Sequence, residues 1–351
     1  MMEEQPRATL PDETRNLGVA TSTAREIRNV GMLDLSGLDA PEALDGVVSI
    51  RNVGVIIVPE PLVPRLSRIP MRNVGSTIPV PAGARPRIFS GETILSGEAL
   101  ANADGNPDDV LIVTGTLAIT SPVAKVGYSQ FIASGEVIAP EGSEAALGSG
   151  LSRMSGDLFY YPYTAGSSVR VRVGAQELTG RDLANPSGQE SDILLVVGTL
   201  AVSGQVERLG YQHVVVVGTT VLPPGCEDVL AGRVISVGGR VVYSTAPLRQ
   251  FTGNDSFGRD FFEYLDEPIL LSYTGNCTLE EDVTPDLLKQ KVAGIILTGN
   301  LIAPRAALGA VQALTLAKRG NISASDDPRV LERMRERERE RARNRDDGDR
   351  A

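Results

Sequence analysis

No tryptophan occurs in the 351 residues, aromatic side chains make up 4% of them, and there are one histidine and two cysteines. Each scarcity removes a class of answer. Globular cores usually fill space with large rings, so a chain this poor in them needs a flatter, layered core. The two cysteines, Cys226 and Cys277, have no CxxC or Cys/His spacing around them. That excludes a zinc ribbon or a disulfide-dense secreted scaffold and reads as two thiols in a reducing compartment. The one histidine, His213, would have to serve any Ser-His-Asp triad, and it stands in the strand-like run GYQHVVVVGTT, which reads as structural. The GxSxG elbow, HExxH, the P-loop and the dinucleotide fingerprint are all missing, so no cofactor or metal is expected.

Long apolar runs are missing too. Nothing reaches the length of a membrane span, and the opening MMEEQPRATLPDETRN has no apolar h-region. A soluble, cytoplasmic protein is the expectation. The net charge is −10, while residues 326–351 carry nine Arg and nine Asp or Glu. The acidity therefore lies in the body, which repels phosphate backbones and anionic lipid, so neither nucleic acid nor membrane insertion is expected.

What the chain has instead is glycine, 37 residues of it, together with Val, Leu, Ile and repetition. Residues 109–142 (DVLIVTGTLAITSPVAKVGYSQFIASGEVIAPEG) return at 192–225 (DILLVVGTLAVSGQVERLGYQHVVVVGTTVLPPG), with 13 of 34 positions identical. IRNVG occurs at 27–31 and 50–54, and MRNVG at 71–75. Four units follow, near 31–83, 91–142, 174–225 and 275–320, the first three closing on a P-x-G turn. Within a unit the glycine steps are roughly 20 to 24 residues, the length of one coil of a β-helix or one leucine-rich repeat.

Short β-branched runs meeting at a glycine corner favour the first of these. The fold expected is all-β: a parallel β-solenoid over 26–323 with a short C-terminal helix, stabilised by stacking of neighbouring coils. A leucine-rich-repeat-like α/β horseshoe is the alternative, because 59–69 and 304–320 have helical spacing behind a proline. The terminal helix is expected over 304–318. Residues 1–25 read as a flexible arm, and 324–351 as a charged helical or disordered tail without a coiled-coil seam.

Two segments, 143–169 and 226–270, read as inserts that break the spacing. They hold Phe159, Tyr160, Tyr161 and Tyr163 in one and Phe251, Phe257, Phe261, Phe262 and Tyr264 in the other. Inserts on a solenoid map to one face, often the working one, so these nine residues are the candidate docking surface for a protein partner. Among acids, Asp108, Asp109, Asp192, Glu280, Glu281 and Asp282 precede strand-like runs. Paired carboxylates hydrolyse glycosidic bonds, but Asp109 and Asp192 recur at equivalent positions, which points to turn chemistry. Tyr128 and Tyr211 recur in the same way, with Lys125 and Arg208 three residues earlier, and read as staples of the coil.

Short aliphatic strands with glycine corners, few aromatics and polar tails resemble the bactofilins. Those bacterial cytoskeletal proteins have β-helical cores that join into filaments without nucleotide. The resemblance implies a non-enzymatic scaffold that self-associates or organises a protein partner. A recognition module using the aromatic inserts and a carboxylate-dependent polysaccharide enzyme are the alternatives.

Overall fold

The computed structural model describes residues 25–106 and 108–328. The chain is mostly β, 52% strand and 17% helix, and every strand pairing is parallel. Among the described residues seventeen strands form four separate sheets in two compact units, divided between Tyr163 and Thr164.

In the first unit, β1 (Arg25–Asp34), β2 (Val47–Pro59) and β3 (Met71–Val80) make the first sheet. The second runs β4 (Arg85–Leu95), β5 (Asp109–Ile119) and β6 (Gln130–Pro140). It closes with β7 (Leu151–Ser155) and β8 (Leu158–Tyr161), both paired with β6. In the second unit, the third sheet runs β9 (Val169–Thr179), β10 (Ile193–Ser203) and β11 (His213–Leu222). Its closing strands β12 (Val234–Val237) and β13 (Val241–Tyr243) both pair with β11. The fourth sheet is β14 (Leu248–Phe257), β15 (Ile269–Leu279), β16 (Val292–Ala303) and β17 (Thr315–Ala324).

The repeats visible in the sequence are stacked corners. Gly91, Gly115 and Gly135 pair in register, as do Gly174, Gly198 and Gly218, and then Gly253, Gly275, Gly299 and Gly320. Each long strand bends there with a positive φ, 125° at Gly115 and 137° at Gly135, a region that glycine enters without steric cost. Contact adds a second requirement: a Cβ on Gly135 would lie 1.9 Å from the carbonyl oxygen of Gly115. In the first sheet the bend belongs to Asn29, Asn52 and Asn73, with φ of 57°, 53° and 55°, and asparagine tolerates this region better than other side chains.

Both faces of the central strands are buried, which is why they read as continuous Val/Leu/Ile runs. On one face each sheet closes over its own connecting segments, for example Leu111, Val113, Leu117, Phe131 and Val137 in the second. Within the first unit the other face packs Ile57, Ile78 and Val80 against Val110, Ile112 and Ile132. Within the second, Ala201, Val221 and Val242 meet Leu270, Ile296 and Ala317. At about 25 cal/mol per Å² of apolar surface these layers supply most of the stabilisation.

Several expectations need correction. The sheets span 25–80, 85–161, 169–243 and 248–324, so the P-x-G turns at 140–142 and 223–225 do not end a unit. The supposed inserts are regular structure, holding β7 and β8, and then β12, β13 and β14. The spacing continues through them, because Gly156 stacks on Gly135 and Gly239 on Gly218. The helix expected over 304–318 stops at Leu314. Thr315 ends it, its hydroxyl donating to the Val311 carbonyl at 2.7 Å. The residues after it repeat the Gly-Asn corner as β17 and pair with β16. The segment 59–69 forms only a 3-10 turn, Glu60–Leu62, and one helical turn, Val63–Leu66. The charged tail from residue 329 and the arm before Arg25 lie outside the described residues.

Candidate functional site

The residues with most chemical potential are the recurring aspartates, and both are buried, Asp109 at 4% exposure and Asp192 at 3%. Each begins or precedes a central strand, under a loop turned by an asparagine of positive φ, 46° at Asn102 and 47° at Asn185. Asp192 accepts from the Arg170 guanidinium (2.9 Å), the Asn185 amide (3.2 Å) and the Gln189 backbone N–H (3.1 Å). Asp109 repeats the set with Arg87 (3.0 Å), Asn102 (3.4 Å) and the Asn106 N–H (3.2 Å). Burial pushes the Asp192 carboxyl up, but the Asn185 and Gln189 hydrogen bonds and Arg170 outweigh it, so its pKa lies below the ordinary value. Held by three donors, Asp192 is an ionised loop lock, far from the raised pKa of a general acid. Arg170 and Arg87 reach it from the adjacent edge strand, so each lock ties one strand, one loop and the next strand.

The other acids are tethers as well. Glu280 accepts from the Ser256 hydroxyl at 2.9 Å, Glu281 from Ser325 at 2.7 Å, and Asp282 from the Arg259 N–H at 3.1 Å. Asp108 is exposed, its N–H donating to the Asn106 side chain at 2.9 Å. Tyr211 is buried in the core of the third sheet, and Tyr128 packs partly buried against that of the second. His213 is half-buried on β11, and the Arg208 guanidinium donates to the Ala184 carbonyl at 3.2 Å. Both cysteines are buried and unbridged, and burial pushes their thiols up, Cys277 to about 12; such thiols are poor nucleophiles. Among the described residues no group of three or more His, Cys, Asp or Glu could hold a metal ion. None of the described helices is long and apolar enough to cross a membrane.

The nine aromatic candidates fall into two groups that the structure treats differently. Tyr161 is fully buried on β8, its hydroxyl donating to the Ile119 carbonyl at 2.7 Å, and desolvation drives its pKa upward. Phe159, Tyr160 and Tyr163 are half-buried beside it in sequence. Phe251, Phe257, Phe261 and Phe262 form one ring cluster, with centroids 4.5 to 5.6 Å apart. It also takes in Tyr273, 6.1 Å from Phe257, a residue that the sequence reading passed over. Phe257, Phe262 and Tyr161 are core, so they cannot belong to an exposed docking patch. Tyr264, at 88% exposure, is the one that projects fully.

Two further features escaped the sequence reading. Asparagine ladders run along the first and fourth sheets. Asn73 donates to Asn52 and Asn52 to Asn29, each at 2.9 Å; Asn300 donates to Asn276 at 2.9 Å, and Asn276 to Asn254 at 2.6 Å. The signal was present as RNVG and TGN recurring every 21 to 24 residues. The second feature is charge at the sheet edges. Strand lysines and arginines gather there: Arg25 and Arg28 on β1, Arg72 on β3, Arg85 and Arg87 on β4, Arg153 on β7, Arg170 and Arg172 on β9, Arg249 on β14, Lys318 and Arg319 on β17. The interior strands carry none except Arg51 on β2, which pairs with Glu26 at 3.0 Å. Charged and proline-bearing edges (Pro79 on β3, Pro86 on β4) resist the addition of another strand.

Comparison with protein-family models, with curated proteins and with solved structures finds no match to this chain.

Proposed function

We propose that each sheet is the bent wall of a short parallel β-solenoid, and that the protein is a non-enzymatic scaffold that organises a partner as a discrete particle. The observation that carries this is the fate of the carboxylates. Asp109 and Asp192 are each enclosed by an arginine, an asparagine and a backbone N–H of their own loop. The charged edges favour a discrete scaffold over the filament that the likeness to bactofilins implies, since like charges on meeting edges oppose growth.

Negative-stain imaging and light scattering of the purified full-length protein test this. Compact particles are expected at every salt concentration, and filaments would overturn the discrete reading. A polysaccharide panel tests the other half: turnover that disappears in both Asp109→Asn and Asp192→Asn would make the protein an enzyme. The exposure of Tyr264 favours a recognition role as a second reading. On it, Tyr264→Ser loses partner binding with circular dichroism unchanged, whereas Phe262→Ser loses the fold.

A further inference from the structure

One edge breaks the rule that the others keep. The closing coil of the third sheet, β12 (VISV) and β13 (VVY), contains no lysine, arginine or proline. Its counterpart in the second sheet is polar over the same stretch, Ser152, Arg153, Ser155 and Asp157 standing against Ile235, Ser236, Gly238 and Arg240. Among the described residues β12 and β13 pair with β11 alone, so no strand pairs with the backbone N–H and C=O groups of their other side. Val241 and Tyr243 are 41% and 48% exposed there, and Val234, Ile235, Ser236 and Val237 are half-buried. Two arginines adjoin the strands, Arg233 before β12 and Arg240 between β12 and β13, and both are engaged elsewhere. Arg233 donates to the Tyr211 and Gln212 carbonyls, and Arg240 to the Leu316 carbonyl at 3.3 Å.

We propose that this coil is a self-complementary interface and that two copies of the chain join along it into a closed dimer. A second copy is the occupant because of what the remaining edges carry. Within a homo-oligomer, any pairing of β12–β13 with another sheet edge brings the strand Arg or Lys of that edge onto an apolar strand, whereas pairing with itself sets no strand Arg or Lys in the contact, and Arg240, between the two strands, is held by the Leu316 carbonyl. A twofold axis makes the two like edges meet antiparallel, the geometry that like-with-like pairing imposes. It also uses up both copies' open edges, so assembly stops at two. Val241 and Tyr243 lie on the side of β13 that continues the inner stack, in register with Thr220 and Leu222. The partner's strand would cover them as a further coil would. An edge this short gives a contact at the small end of specific interfaces, below about 1,200 Å², so the dimer is concentration-dependent. The inference goes beyond the scaffold reading and does not rest on it, since an enzyme could dimerise in the same way.

Sedimentation velocity of the full chain over a wide concentration series tests it. A monomer–dimer equilibrium is expected in the wild type, and Val241→Lys or Tyr243→Lys should raise the dissociation constant about a hundredfold, the effect of an unpaired charge in an interface. Ile94→Lys, at a 47% exposed position on the edge strand β4, should leave it unchanged. Monomer at all concentrations, dimers untouched by either substitution on β13, or species larger than dimers would each overturn the proposal. Should the lysine variants fail to fold, hydrogen exchange of the wild type decides. Amides of 234–243 gain protection with concentration if the edge is the interface, and an unchanged pattern refutes it.

Discussion

The second and third sheets follow one plan at a constant offset of 83 residues, with Arg87, Asn102, Asp109, Gly115 and Gly135 in one and Arg170, Asn185, Asp192, Gly198 and Gly218 in the other. Where they finish, they part. The second sheet closes on Leu158–Tyr161, with Tyr161 driven into the core and bonded to the Ile119 carbonyl. The third closes on Val241–Tyr243, where Tyr243, the counterpart of Tyr160, is 48% exposed. The difference separates two demands. Interior strands are constrained by neighbours on both sides and retain the corner and lock residues. Closing strands pair on one side only, and there the sequences are free to differ.

The strongest way to break the comparison is at the corners. Gly135→Ala and Gly218→Ala set a Cβ 1.9 and 2.0 Å from the preceding carbonyl oxygen, at φ of 137° and 134°. Each should cost about 3 kcal/mol or more in chemical denaturation; if one were tolerated, the two corners would not be equivalent. The loop locks come next. Asp192→Ala should cost about 2 kcal/mol through lost charge-assisted bonds. Because the folded pKa of Asp192 is depressed, its stabilisation is present above the ordinary carboxylate value, near pH 4, and lost as pH falls through the folded pKa. Urea titrations of Asp192→Asn should accordingly show a shallower decline below about pH 4 than the wild type. At the closing coil, Tyr161→Phe strands a buried carbonyl and should cost about 1 to 2 kcal/mol, while Ser244→Ala, at the matching position of the third sheet, changes little.

The smallest effect sharpens the comparison in the opposite direction. Thr220 is fully buried with an unpaired hydroxyl, where the second sheet has the fully buried Val137. Thr220→Val should therefore stabilise the protein by about 1 kcal/mol, read as a rise in melting temperature. No rise would mean that the hydroxyl has a partner in solution.

What could be read in the sequence were the glycine corners of the last three sheets, because a bent strand under a neighbouring carbonyl accepts glycine alone, and the requirement recurs from strand to strand. Asp109 and Asp192 could also be read as turn residues, since catalytic acids have no reason to recur with the repeat. The coil ends could not. LSRMSGDLFYY carries no β-branched run, yet it pairs with β6, because an edge strand needs only one buried face. Phe251 and Phe257 looked like an insert because rings are rare elsewhere. In fact the fourth sheet opens with them, sealing its first coil where no earlier strand covers it. Thr315 hid a strand start behind a helical pattern, since a helix capped by the first residue of the next strand leaves no loop to see.

The asparagine rows have a direction. Every amide in them donates toward the earlier strand, from Asn73 to Asn52 to Asn29 and from Asn300 to Asn276 to Asn254. A row of this kind cannot absorb a shift of one residue, because successive strand side chains point to opposite faces. It can absorb a whole strand with its connection, which adds one more rung with both of its bonds formed. Length is therefore quantised: in a lineage carrying this fold it should change inside the connecting loops freely, and inside the sheets only in steps of an entire repeat.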